Sequence, residues 1–376
     1  MNKENHSNRR MDTKSQEMLK SLSPKKIFLP MVVGLGAIIY LMATDEKMDF
    51  DKVIEAFKNI NIWWVVAAFL VLFVRDAGYM YRIRHLTSEA LDWSSSFFVI
   101  LLWEFASAIT PSVVGGTAVA VFIINQEKVA FGKSLAYVML TAVLDNLFFV
   151  LASFAVIFLA KGDIFPDDAK SLVIMGYELN LEQIFLVSVG LIAVYTVLMS
   201  WGLFFGPHSF KRLLAKITSN KLLRRWRRSA IRSGNEMIIA SKELKGHTAG
   251  YWVKAIVSTI FIWSARYLML NCIINAFLHV NLFDMSFDEV YTQFLIFARQ
   301  IIMWIVMLIS PTPGSSGTAE YFFGEFFEEF LGAGLVLAVA LLWRLFTYYA
   351  YLVVGVFVIP RWITRIFKRR QTVKTR

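Results

Sequence analysis

The chain of 376 residues has little cysteine, little charge and little histidine. One cysteine, Cys272, excludes an intrachain disulfide framework and a cysteine-based metal site. Charged residues make up 18% of the chain, against about 25% in soluble globular proteins. Five histidines are present and none follows His279. No glycine-rich nucleotide loop, paired-aspartate metal motif or deep histidine–asparagine pair is found, so the sequence implies no cofactor and no metal. What fills the chain is apolar: 57% of residues, with mean hydropathy +0.55. That excess excludes a disordered chain and argues against a soluble enzyme. The net charge of +11 raises the question of nucleic acid, but no nucleic-acid motif accompanies it, and the cations cluster just outside apolar runs.

A bilayer core about 30 Å thick needs roughly 20 apolar residues per helix. Six runs qualify as full spans: 27–43, 60–74, 134–160, 183–206, 251–280 and 331–359. The second is short, and residues 77–81 lengthen it if Arg75 snorkels. The first has a charged preface of 26 residues and a poor cleavage site at Met42-Ala43-Thr44, so it reads as an uncleaved helix. Two further regions, 93–124 and 291–330, are broken in the middle. The first breaks at Thr110-Pro111 and Gly115-Gly116, the second at Pro311, Pro313, Gly314 and Gly317. Their second arms are too short or too charged to cross. Such breaks survive only where protein buries them or water reaches them. The expected fold is therefore an all-α polytopic membrane protein with six spans and two re-entrant helical hairpins; two kinked full spans are the alternative.

Lysines and arginines set orientation. Thirty lie on the flanks 1–26, 75–92, 125–133, 207–250 and 360–376, and five on the opposite flanks. Both termini are thus expected in the cytoplasm of a cell that carries this protein in its plasma (inner) membrane. The basic tails 1–26 and 360–376 then bracket a membrane domain, 27–359, with a basic cytoplasmic loop at 207–250. Within it the units 60–160 and 251–359 run in opposite senses, an inverted repeat. Thr110-Pro111 before Gly116-Thr117-Ala118 is echoed by Thr312-Pro313 before Gly317-Thr318-Ala319. Inverted repeats with broken helices near the midplane are a construction of secondary transporters. In the loop, leucines and Trp226 among cations suit an amphipathic surface helix, though simple positive-inside anchoring explains the charge equally well.

The two breaks, 110–117 and 311–320, resemble the two marks of the flippase-like membrane family, also called the lysylphosphatidylglycerol synthase transmembrane region. The second, a proline-glycine turn closing on Gly317, small residues and Glu320, is the more specific; Ser315-Ser316 stand where family members often have glycine. The resemblance covers roughly residues 25–365. It implies movement of a polar-headed lipid between leaflets, with phospholipid, aminoacyl-phospholipid and polyprenyl-phosphate types open. Only 17 residues follow Ile359, so the aminoacyl-transferase of the family's two-part members is not expected.

Ionisable residues within spans are costly and mark function by default. Here they are Glu104, Asp145, Arg266, Arg299, Glu320 and Arg344. Fixed ion pairs that hold the hairpins are the plain reading of any one of them; a substrate or proton path is the reading of the set. Arginine forks suit phosphate oxygens, so Arg299, Arg344 and Arg266 are expected on the headgroup, with the three acids balancing the empty site, holding a cationic headgroup or carrying a coupling proton. The expected partners are membrane lipids, with a homo-oligomer and a lipid-modifying enzyme left open. A membrane-embedded lipid-modifying transferase is the rival reading. Gly314-Ser315-Ser316-Gly317 matches a rhomboid-type nucleophile pattern, but no histidine follows it to act as base.

Overall fold

The computed structural model describes residues 50–110, 113–160, 162–166, 172–174, 177–220, 223–281, 284–307, 312 and 314–374, with isolated positions between 32 and 44. The predicted first span at 27–43, the tail 1–26, and Pro111, Pro311 and Pro313 fall wholly or mostly outside these residues.

A short amphipathic helix, α1 (Phe50–Lys58), leads to α2 (Ile62–Leu86). Asn61 starts α2: its side chain accepts the Trp63 N–H, and its own N–H donates to Ala276 O at 2.9 Å. Helix α2 is longer than the apolar run suggests, and Arg75 does not snorkel. Its side chain is fully buried, bonded to Asp76 and Tyr351. A charge with partners at hand need not reach for the interface. Two of the cations counted as flanking, Arg75 and Arg82, therefore lie inside the helix bundle.

Next come α3 (Trp93–Ile109) and α4 (Val113–Gln126), packed against each other. Asp92 caps α3 by accepting the Ser95 N–H at 2.6 Å. Gly116 lets the two helices close: a Cβ there would sit 2.5 Å from Ser107 Oγ. Helix α4, with 14 residues, is about 21 Å long at 1.5 Å per residue. Helix α5 (Phe131–Ala160) is followed by a small antiparallel hairpin, β1 (Leu172–Ile174) and β2 (Tyr177–Leu179). Asn180 and Gln183 form a reciprocal cap on α6 (Leu181–Ser200), which ends in a π-turn, Trp201–Phe205. The amphipathic α7 (Pro207–Ile217) and α8 (Arg227–Glu243) pack together.

Helix α9 (Ala249–Leu278) lies along α2. It precedes α10 (Phe287–Met307) and α11 (Thr318–Leu331). The last span is built from α12 (Ala333–Arg344), a π-turn at Leu345–Tyr349, and α13 (Ala350–Lys374). Helix α13 continues through Pro360, so the predicted basic tail is helical to Lys374.

Among the described residues, six helical stretches are long and apolar enough to cross a membrane: Ile62–Leu86, Phe131–Ala160, Leu181–Phe205, Ala249–Leu278, Phe287–Met307 and Gly334–Ile366. Five match predicted full spans. The sixth, Phe287–Met307, was expected only as one arm of the second hairpin. Large apolar side chains such as Trp63, Phe73, Phe158, Val197 and Phe357 stand exposed on these helices, as lipid-facing surfaces require. Inside are two cores, one around Phe105, Leu140 and Trp362, the other around Phe185, Met303 and Phe323. Residues from both line the cavity described next.

Candidate functional site

A cavity of about 530 Å³ opens among α2, α3, α5, α9, α10 and α12. Most of its wall is apolar or aromatic, yet Arg82, Glu104, Asp145, Arg266 and Arg344 all reach it. Five ionised side chains amid apolar helices demand partners, because an unpaired buried charge is far costlier than a paired one.

Three of the pairs are closely made. Arg82 forks onto Asp145, with its second arm at 3.4 Å, and also donates to Thr259 Oγ1 at 3.1 Å. Asp145 further accepts the Trp263 indole N–H at 2.9 Å. Behind the wall, Arg75 holds Asp76 at 2.7 Å, and the Tyr351 hydroxyl donates to the same carboxylate. Arg344 meets Glu320 at 2.8 Å and donates to Gly314 O at 2.9 Å. Glu320 is completely buried and accepts the Gly317 N–H at 2.6 Å. One ion pair thus pins the turn 314–317 to the last span.

The fourth pair differs. Arg266 and Glu104 stand 3.6 Å apart, beyond a good hydrogen bond. Their side chains keep 15% and 18% of their surface, whereas Arg344 and Glu320 keep 6% and none. The Arg266 guanidinium lies over the rings of Trp304 and Trp263, 4.7 and 5.3 Å from their centroids. Beside it, the Tyr267 hydroxyl and the Trp304 indole nitrogen are buried and have no hydrogen-bond partner among the described residues.

Of the predicted site residues, Glu104, Asp145, Arg266, Arg344 and Gly314 line the cavity. Glu320 sits one layer behind, through Arg344. Arg299 is not in the cavity wall. It bonds Glu329 at 2.7 Å, Phe326 O at 3.1 Å and Asp163 O at 2.9 Å, tying α10 to α11 and to the loop after α5. Gly115 and Gly116 fall in the first turn of α4, and Gly317 immediately precedes α11.

Sequence reasoning missed Tyr79, Arg82, Trp263, Tyr267 and Tyr348. A signal existed for the first two: Arg75, Tyr79, Arg82 and Leu86 follow helical spacing and are all buried. Tyr348 had none. The π-turn places its hydroxyl 3.2 Å from Ala108 O, at the end of α3, and 3.3 Å from Ser316 Oγ. Its ring fills the space a Cβ on Gly314 would need, and Arg344 lies over its face at 4.0 Å. One side chain therefore links the two broken regions.

The family model described as the lysylphosphatidylglycerol synthase TM region matches residues 27–355. Two archaeal proteins align over 86% of this chain and 92% of their own length. A UPF0104 membrane protein of Archaeoglobus fulgidus is 26% identical, and one of Methanocaldococcus jannaschii is 24% identical. The chain belongs to the lysylphosphatidylglycerol synthase TM region family and is a multi-pass integral membrane protein.

Proposed function

We propose that this protein carries a polar-headed lipid between leaflets, its headgroup held in the central cavity while the acyl chains stay in the bilayer. The observation that carries this reading is the cavity itself: ionised groups that surface can reach, set among helices whose outer faces suit lipid. A headgroup needs polar partners at bilayer depth, and this wall supplies them. Family membership supports the same reading.

In this reading the regions 93–126 and 287–331 act as re-entrant hairpins of an inverted repeat in the plasma (inner) membrane, and both termini are cytoplasmic. Alternating access follows from rocking one half against the other. The links that must break are those of Tyr348 to Ala108 and Ser316, which join the two breaks. The buried Arg344–Glu320 pair keeps the second turn rigid through the movement.

The test uses purified protein in vesicles with labelled phospholipids on one leaflet. Lipid sidedness is expected to equilibrate faster than in protein-free vesicles, with headgroup mass unchanged. Unchanged sidedness overturns the reading, and a changed headgroup mass supports the transferase rival instead.

A further inference from the structure

We infer that the headgroup this cavity takes is zwitterionic, a phosphate joined to a protonated amine, and that it binds by parting the Arg266–Glu104 pair. The inference rests on the carrier reading above and deepens it.

Charge balance comes first. Arg75, Arg82, Arg266 and Arg344 are matched by Asp76, Asp145, Glu104 and Glu320, each arginine with its own carboxylate. The cavity and its backing are therefore neutral as they stand. Bringing a net charge into such a low-dielectric site leaves one charge uncompensated, which is strongly unfavourable. A headgroup carrying both signs adds none.

Geometry then selects the place. Three pairs are closed by hydrogen bonds and have at least one partner almost fully buried. Arg266–Glu104 alone among the four is loose, with surface left on both partners. A phosphate on Arg266 also finds donors that lack partners among the described residues. They are the Tyr267 hydroxyl and the Trp304 indole N–H, both buried, on residues that line the same wall. Buried donors without acceptors are rare, and a ligand oxygen is one way to satisfy them. The amine is left to Glu104, whose carboxylate accepts its N–H groups. Each half of the zwitterion thus replaces the opposite half of the ion pair, and no net charge is buried.

The experiment is native mass spectrometry of the full chain in detergent, titrated with phosphatidylethanolamine or anionic phosphatidylglycerol of equal acyl length. Soluble glycerophosphoethanolamine is run beside them. Phosphatidylethanolamine is expected to bind at least about tenfold tighter than phosphatidylglycerol, the ratio that 1.4 kcal/mol produces. The lipid is also expected to bind tighter than the soluble compound. Glu104→Gln leaves the site one positive charge in excess and is expected to turn the preference toward phosphatidylglycerol. Equal or reversed wild-type preference overturns the inference, as does an unaltered preference in a folded Glu104→Gln variant. If that variant fails to fold, the wild-type ratio decides. Soluble compound binding as tightly as lipid overturns the lipid source. Because binding is read apart from leaflet exchange, a protein that moves phosphatidylglycerol but not phosphatidylethanolamine sinks this inference alone. A protein that moves no lipid sinks the carrier reading.

Discussion

Two arginine–glutamate pairs in this molecule are chemically alike and do different work. Arg344–Glu320 is closed at 2.8 Å, with Glu320 fully buried and bonded to the Gly317 N–H. Arg266–Glu104 is open at 3.6 Å, both ends accessible, and spread over two tryptophan faces. The first directs its bonds to the fold, onto Glu320, the Gly314 carbonyl and the Gly317 N–H. The second keeps capacity in reserve beside donors that lack partners. The contrast teaches that an intramembrane charge is not by itself a binding residue. What marks one is the bonding it has left unmade.

Removing half of the closed pair should have the largest effect on stability. Glu320→Ala leaves Arg344 buried and alone, which costs about 3–5 kcal/mol. Thermal unfolding in detergent should fall steeply, and a Glu320→Leu/Arg344→Met double variant should recover part of the loss. If the double variant is no better than the single, the pair is not the isolated lock described. Gly314→Ala should rank next. Gly314 has φ +57°, and a Cβ there would lie 2.1 Å from the Tyr348 ring; the left-handed conformation alone costs about 1–3 kcal/mol. The same melting experiment checks it.

Arg266→Gln should invert the pattern. Its pair is already open and both ends keep some surface, so the stability loss should be smaller than that of Glu320→Ala, while lipid exchange in vesicles falls by about tenfold or more. A large stability loss with exchange intact would place Arg266 with Arg344 as scaffold. The smallest effect should come from Trp226→Ala on the exposed surface of the basic loop. Trp226 is 47% exposed and stacked on Arg225, and surface changes of this kind stay within about 0.5 kcal/mol.

The bundle was legible in the sequence where hydropathy alone decides. Five of the six membrane-length helices among the described residues coincide with predicted full spans, because lipid contact demands long apolar surfaces and little else. The reading failed where charge entered a run. On paper the span passed Arg75 only if that side chain snorkelled, and it stopped at 81, whereas burial on one face, with partners on α5 and α13, let the helix continue to Leu86. The site was half legible. Single charges could be picked out, but their pairing could not: Glu104 and Arg266 lie 162 positions apart, and no local spacing joins them. Arg299 shows the same limit. It is as buried as Arg344, yet its partners are the Phe326 and Asp163 carbonyls and Glu329, outside the cavity wall. The π-turn that aims Tyr348 has no local signal in the sequence.

The measurement that reaches the centre of this account is aqueous access to the cavity. The sole cysteine, Cys272, is buried, so a Cys272→Ala background carrying Asn146→Cys puts one thiol on the cavity wall. A small, neutral, water-soluble thiol reagent is expected to label it, more slowly than a surface control at Ser229→Cys, and saturating headgroup lipid should slow it further. A thiol at position 146 that never reacts, from either side of the membrane and with or without lipid, while position 229 reacts at once, would contradict the account.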